Sequence, residues 1–160
     1  MRIKLTTALP RNFSALAPYI LGEWDVAVSD GSRLRAKVLL FENKRDLRKF
    51  WRDKLGKGDL GSRCPAAVNA LLQCHCISNT GKEHLECDPR YFCVMGFVKG
   101  YLGMEIITHE SAHAGFAYAK RVKHKQWPNS LECDEESVCY PAGRIASAIN
   151  RIFHKEGIYQ

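Results

Sequence analysis

Along this chain, apolar positions recur with two different periods. Short stretches of two-residue alternation fill the first part, and long stripes of 3.6-residue spacing fill the second. Residues 2–7 ("RIKLTT") and 23–30 ("EWDVAVSD") are β-like runs. Residues 34–43 ("LRAKVLLFEN") follow the second run across Asp30-Gly31, a dipeptide suited to a tight turn, so a hairpin is expected. Residues 44–56 ("KRDLRKFWRDKLG") put Leu47, Phe50, Trp51 and Leu55 on one helical face, with Arg45, Arg48, Lys49 and Arg52 largely opposite. Gly56 ends this amphipathic helix, whose apolar face predicts packing on a sheet. Residues 68–78 ("VNALLQCHCIS") and 91–102 ("YFCVMGFVKGYL") read as two more strands, joined by the polar segment 79–89.

Gly100 and Gly103 punctuate the passage into residues 104–122 ("MEIITHESAHAGFAYAKRV"), a helix by its spacing. A polar loop follows, in which Pro128 bars helix. The last helix spans 135–157, with Val138, Ala142, Ile145, Ile149 and Ile152 at core spacing and Pro141 early enough for a missing N–H to be tolerated. The pattern predicts an α+β fold in a single domain over residues 1–160, an antiparallel-rich mixed sheet packed on two helices.

Composition narrows the function classes. A chain of 160 residues can bury a core without disulfide staples, and 46% hydrophobic with 26% charged residues is ordinary for a globular domain. No apolar run nears the roughly 20 residues that span a bilayer, so no membrane partner is expected. The first twenty residues lack a continuous apolar segment, which makes the cytoplasm the expected location and gives the glycosylation-like triplet at Asn12 no meaning. Seven cysteines, an odd number without an export signal, are expected as reduced thiols. The net charge of +7 resides entirely in residues 1–64, where fourteen Lys and Arg face seven Asp and Glu. A solvated basic surface explains it, and a nucleic-acid or acidic-protein partner is the alternative.

The stretch "ITHESAHAGF" (107–116) carries the chemistry. On a helix, His109 and His113 share a face and can offer two imidazole nitrogens to one ion, while Glu110 lies about 100° around the axis, able to reach a water beside the metal without ligating it. The neighbours Ile106, Ile107, Ser111, Ala112, Ala114 and Gly115 are uncharged, as a helix beneath a cleft requires. The bland reading is a pair of ordinary, partly buried histidines, so the third ligand matters. A third histidine six residues after His113 is missing: that position is Ala119, and Phe116 replaces the glycine of the metzincin pattern.

With Glu-x-x-Cys-Tyr (Glu136, Cys139, Tyr140) opening the next helix, residues 91–153 resemble zinc metallopeptidases of the gluzincin type, and most of all small prokaryotic and phage-type metallopeptidases with the layout of the ImmA/IrrE group. The resemblance implies a small zincin-like domain, Zn²⁺ as cofactor, His109, His113 and Glu136 as ligands, Glu110 as general base, and a peptide or protein substrate. Tyr140 stands where that pattern often has Asp or Asn. Glu135 competes with Glu136 because it follows the core stripe, whereas the face of Glu136 continues through Cys139, Tyr140 and Gly143, expected to let the two helices approach. His124, Asp134 and His154 are outside candidates; Tyr140, Arg144 and His154 are candidates for the oxyanion. The strand at 91–98 is expected at a sheet edge where an extended substrate adds.

Cys74, His75 and Cys76, with His84, Cys87 and Cys93, raise a second, structural zinc, but Cys-x-Cys spacing is short for one and packing thiols are the simpler reading. No cysteine sits in a nucleophile signature and no phosphate-binding glycine loop is present. Against the peptidase stands a binding protein whose zinc is structural or vestigial and whose basic N-terminal part engages nucleic acid or an acidic protein.

Overall fold

The fold was analysed in a computed structural model that describes residues 17–29, 31–55, 60–70, 90–123 and 135–159, and the backbone of 74–77 and 83–86. The expected strand at 2–7 and the loop after residue 123 lie outside the described residues. Strand β1 (Ile20–Ala27) pairs antiparallel with β2 (Arg35–Phe41), the hairpin foreseen around Asp30-Gly31, and Gly31 takes a φ of +87° that a side chain would disfavour. Helix α1 (Lys44–Leu55) follows at once. Asn43 starts it: the Asp46 amide donates to Asn43 Oδ1 at 3.0 Å, and Asn43 Nδ2 donates back to Asp46 at 2.9 Å.

The remaining elements are β3 (Ala66–Ala70), β4 (Cys74–Ile77), β5 (Glu83–Glu86), β6 (Tyr91–Val98), α2 (Met104–Lys123) and α3 (Glu135–Lys155). The main sheet has the order β1-β2-β6-β3, with β2 and β6 parallel and the other two pairings antiparallel. This is the antiparallel-rich mixed sheet of an α+β fold. Between the pairs Arg35–Tyr91 and Ala36–Cys93, β6 holds one extra residue, Phe92.

Three expectations need correction. Residues 68–78 are not one strand: β3 belongs to the main sheet, and β4 pairs with β5 in a separate hairpin, so the supposed polar connector 79–89 itself contains a strand. Strand β6 is not an edge; it lies between β2 and β3, and its burial along the whole length reflects neighbours on both sides. Pro141 is the seventh residue of α3, past the first turn, and it is buried.

The sheet separates two apolar clusters. On one face Leu47, Phe50 and Trp51 of α1 cover Leu39, Phe41, Val94 and Val98. On the other, α2 and α3 cover Val26, Val38, Met95 and Phe97 with Ile107, Ala114, Ile145, Ile149 and Phe153. Phe153 sits edge-on to both Trp24 and Phe97, with ring centroids 5.7 Å from each. Cys93 is buried in this second cluster, and burial pushes its thiol well up from the ordinary range, which makes it an inert packing group as foreseen. Among the described residues no helix is long and apolar enough to cross a membrane.

Candidate metal centre

Strand β6 delivers the chain to α2 through a tight turn. The Tyr101 amide donates to the Val98 carbonyl at 3.1 Å, the Lys99 amide to the Phe41 carbonyl at 2.8 Å, and Gly100 supplies the φ of +82° that the reversal needs. Helix α2 then begins at Met104, its first bond running from the Ile107 amide to the Gly103 carbonyl at 3.0 Å. Ile107, Ala114 and Ala117 bury one face in the core. Thr108, His109, Ala112, His113 and Phe116 form the exposed face.

On that face the two imidazoles converge. His109 Nε2 and His113 Nε2 lie 3.2 Å apart, with ring centroids 4.8 Å apart and rings inclined at 76°. Two nitrogens at about 2.0–2.1 Å from a tetrahedral zinc lie about 3.3–3.4 Å from each other, so the pair fits one edge of such a site. The distance also suits one imidazole donating to the other, which is the arrangement a metal-free pair adopts. Glu110 occupies the buried flank of the pair at 8% exposure. Burial raises its carboxyl above the ordinary range, and the two imidazoles act in the opposite direction. No lysine or arginine pairs with Glu110 among the described residues. Its carboxylate is therefore available as a base of raised proton affinity.

No third His, Cys, Asp or Glu joins the pair among the described residues. Glu135 and Glu136 are both exposed in the first turn of α3. The face expected to meet α2 is not the one that does: a Cβ on Gly115 would stand 2.6 Å from the Val138 carbonyl and 2.9 Å from Ala142 Cβ, while one on Gly143 would meet nothing within 4 Å. The helices approach along the Val138–Ala142 stripe, and Cys139, Tyr140 and Gly143 face outward. By helical spacing Glu135 belongs to the stripe that turns toward α2, whereas Glu136 shares the outer face with Tyr140 and Arg144. The argument that favoured Glu136 over Glu135 therefore fails. Tyr140 and Arg144 lie on that outer face away from α2, His154 is exposed near the far end of α3, and His124 and Asp134 lie outside the described residues.

Phe116, which in the sequence marks only a departure from the metzincin pattern, borders the pair. It is 50% exposed, one turn beyond His113 and two beyond His109, so helical spacing alone could have placed it beside the pair. Met104, 63% exposed, lies at the other end of the same helix. The nearest sheet edge is β3, which packs against α2. Of the cysteines once weighed as metal ligands, the register of β4 and β5 sets Cys76 opposite His84 along the backbone. No protein-family model matches the chain, and comparison with curated proteins and with solved structures returns no significant match.

Proposed function

We propose that this chain is a zinc-dependent metallopeptidase whose metal site is built on α2. The observation that supports the reading is the convergence of His109 and His113 Nε2 at 3.2 Å on an exposed helix face, with Glu110 on its buried flank. His109 and His113 would hold the ion, with a carboxylate from the start of α3 as third ligand. The resemblance assigns that carboxylate to Glu136, and the packed face of α3 favours Glu135. When bound, zinc supplies Lewis acidity that polarises a peptide carbonyl and brings the pKa of a water to about 7. Glu110 takes the proton of the attacking water and returns it to the leaving amine, which suits a carboxyl already raised by burial. An extended substrate would add to the edge of β3, and Phe116 would offer it an apolar contact.

The second reading, a binding protein with a structural or vestigial zinc, draws on the lack of a third ligand among the described residues. One measurement tests the metal site, and a second separates the readings. Purified protein should carry about one equivalent of zinc, lost in His113→Ala, and Glu135→Ala should weaken zinc binding more than Glu136→Ala. Glu110→Gln should keep the zinc yet cleave a mixed protein digest about a hundred- to ten-thousand-fold more slowly than the parent. Identical cleavage rates for parent and Glu110→Gln would refute the peptidase; retained zinc in His113→Ala would refute the site.

A further inference from the structure

A second feature lies on the outer side of α3, away from the histidine pair. Two adjoining hollows of about 260 and 430 Å³ form a groove between this helix and β1, the end strand of the sheet among the described residues. They share Ala27, Ala148 and Arg151. Four cations border the groove: Arg144 and Arg151 in one hollow, and Arg151, Lys155 and Arg35 in the other. None of the four forms an ion pair among the described residues. The one carboxylate in the lining among the described residues, Asp25, is already engaged by Lys37 at 2.5 Å and accepts from the Tyr91 hydroxyl at 3.3 Å, so it does little to cancel the positive field.

Helical spacing aligns these groups. Tyr140, Arg144, Ser147, Arg151 and Lys155 fall within about 80° of arc and extend about 22 Å along α3. No acidic residue interrupts the helix between Ser137 and Lys155, and Glu136, one turn before Tyr140, marks the end of the basic run. Tyr140 is 66% exposed, an aromatic face held at the end of a cationic track. Ser147 adds a hydroxyl donor in the middle. Cations that track a backbone, a hydroxyl and an exposed aromatic ring are the components by which proteins hold single-stranded nucleic acid. Three of the four cations are arginines, whose planar forks suit phosphate oxygens.

We infer that the groove between α3 and β1 binds a single-stranded nucleic acid, with Arg35, Arg144, Arg151 and Lys155 on successive phosphates and Tyr140 stacking on a base. The concave shape favours one strand over a duplex, which is read by elements that project into its grooves. The basic track thus lies in the C-terminal helix, not in the N-terminal segment that carries the excess of charge. The inference is independent of the metal centre.

Fluorescence anisotropy with a fluorescein-labelled oligothymidylate about a dozen nucleotides long tests it. Arg144→Glu/Arg151→Glu should weaken binding at least about ten-fold at 100 mM salt and lower the slope of log affinity against log salt by about 1.4, two phosphate contacts' worth on a single strand. Arg45→Glu/Lys54→Glu makes the same change of net charge on exposed positions of α1 and should leave the slope unchanged. The milder Arg144→Gln/Arg151→Gln, checked for native circular dichroism, should show the same loss in smaller degree. Failure of the parent to bind, or equal loss in the α1 variant, would overturn the inference. So would competition by oligoglutamate of equal charge, which would mark an acidic-peptide groove, or tighter binding of a duplex.

Discussion

Lys37 is a lysine at 2% exposure in the middle of β2, held by Glu23 at 2.8 Å and Asp25 at 2.5 Å, with the Tyr91 ring 4.9 Å from its ammonium. Burial alone would lower its pKa, but the hydrogen bonds that the ammonium donates to Asp25, Glu23 and Tyr91 outweigh it and hold it above the ordinary lysine range. The stability it contributes is therefore fully present below about pH 10.4 and is lost as the pH rises through the raised value. Lys37→Met should cost about 3 kcal/mol at neutral pH in urea titrations, the low end for a broken buried pair because Asp25 can turn to water. The parent should lose stability above about pH 10.4 more steeply than the variant does. Nothing in "RAKVLLF" announces this residue, since its partners lie on other strands, Glu23 on β1 14 residues before it and Tyr91 on β6 further along the chain. His109 and His113 are the opposite case: four residues on one helix set their spacing, so a local pattern revealed them.

At the scale of elements, the packing of α2 on α3 turns on Gly115. A Cβ there would meet the Val138 carbonyl at 2.6 Å, and a backbone oxygen in a helix cannot step aside as a side chain can. Gly115→Ala should therefore destabilise by about 1–3 kcal/mol, a clash that exceeds the roughly 1 kcal/mol which alanine's helix propensity returns. Gly143 on α3 has open space around it, and Gly143→Ala should stabilise by up to about 1 kcal/mol. Thermal or urea melts would read both, and stabilisation by both substitutions would show that propensity, not contact, governs this helix pair. Helices were legible to within a residue or two because a 3.6-residue stripe is a local property. Strands were less so. The apolar run 68–78 reads as continuous, yet its division into β3 and β4 depends on which partner each half meets, β6 or β5.

For the whole molecule, β2 and β6 contribute alternate side chains to both apolar clusters, Val38 and Met95 to one and Leu39 and Val94 to the other. The two cores share these central strands, so neither should melt alone. Phe50→Ala beneath α1 and Phe153→Ala beneath α3 should each cost about 3–5 kcal/mol while leaving a single transition, in which tryptophan fluorescence and far-ultraviolet circular dichroism coincide. Trp51 and Trp24 report on opposite faces of the sheet. Separated transitions would show two independent units.

Local spacing was sufficient for the helices, the first hairpin and the convergence of two imidazoles with a glutamate beside them, because each rests on residues close together in the chain. The central place of β6, the close approach at Gly115 and the outward turn of Glu136 required the assembled sheet and helices. So did the basic groove, whose cations come from β2 and α3 and whose floor is the edge of β1. A sequence count placed the charge in residues 1–64, where the excess is, and passed over α3, whose cations are balanced in number by acids elsewhere. Electrostatic potential depends on distance through space, and a count along the chain contains no such distances.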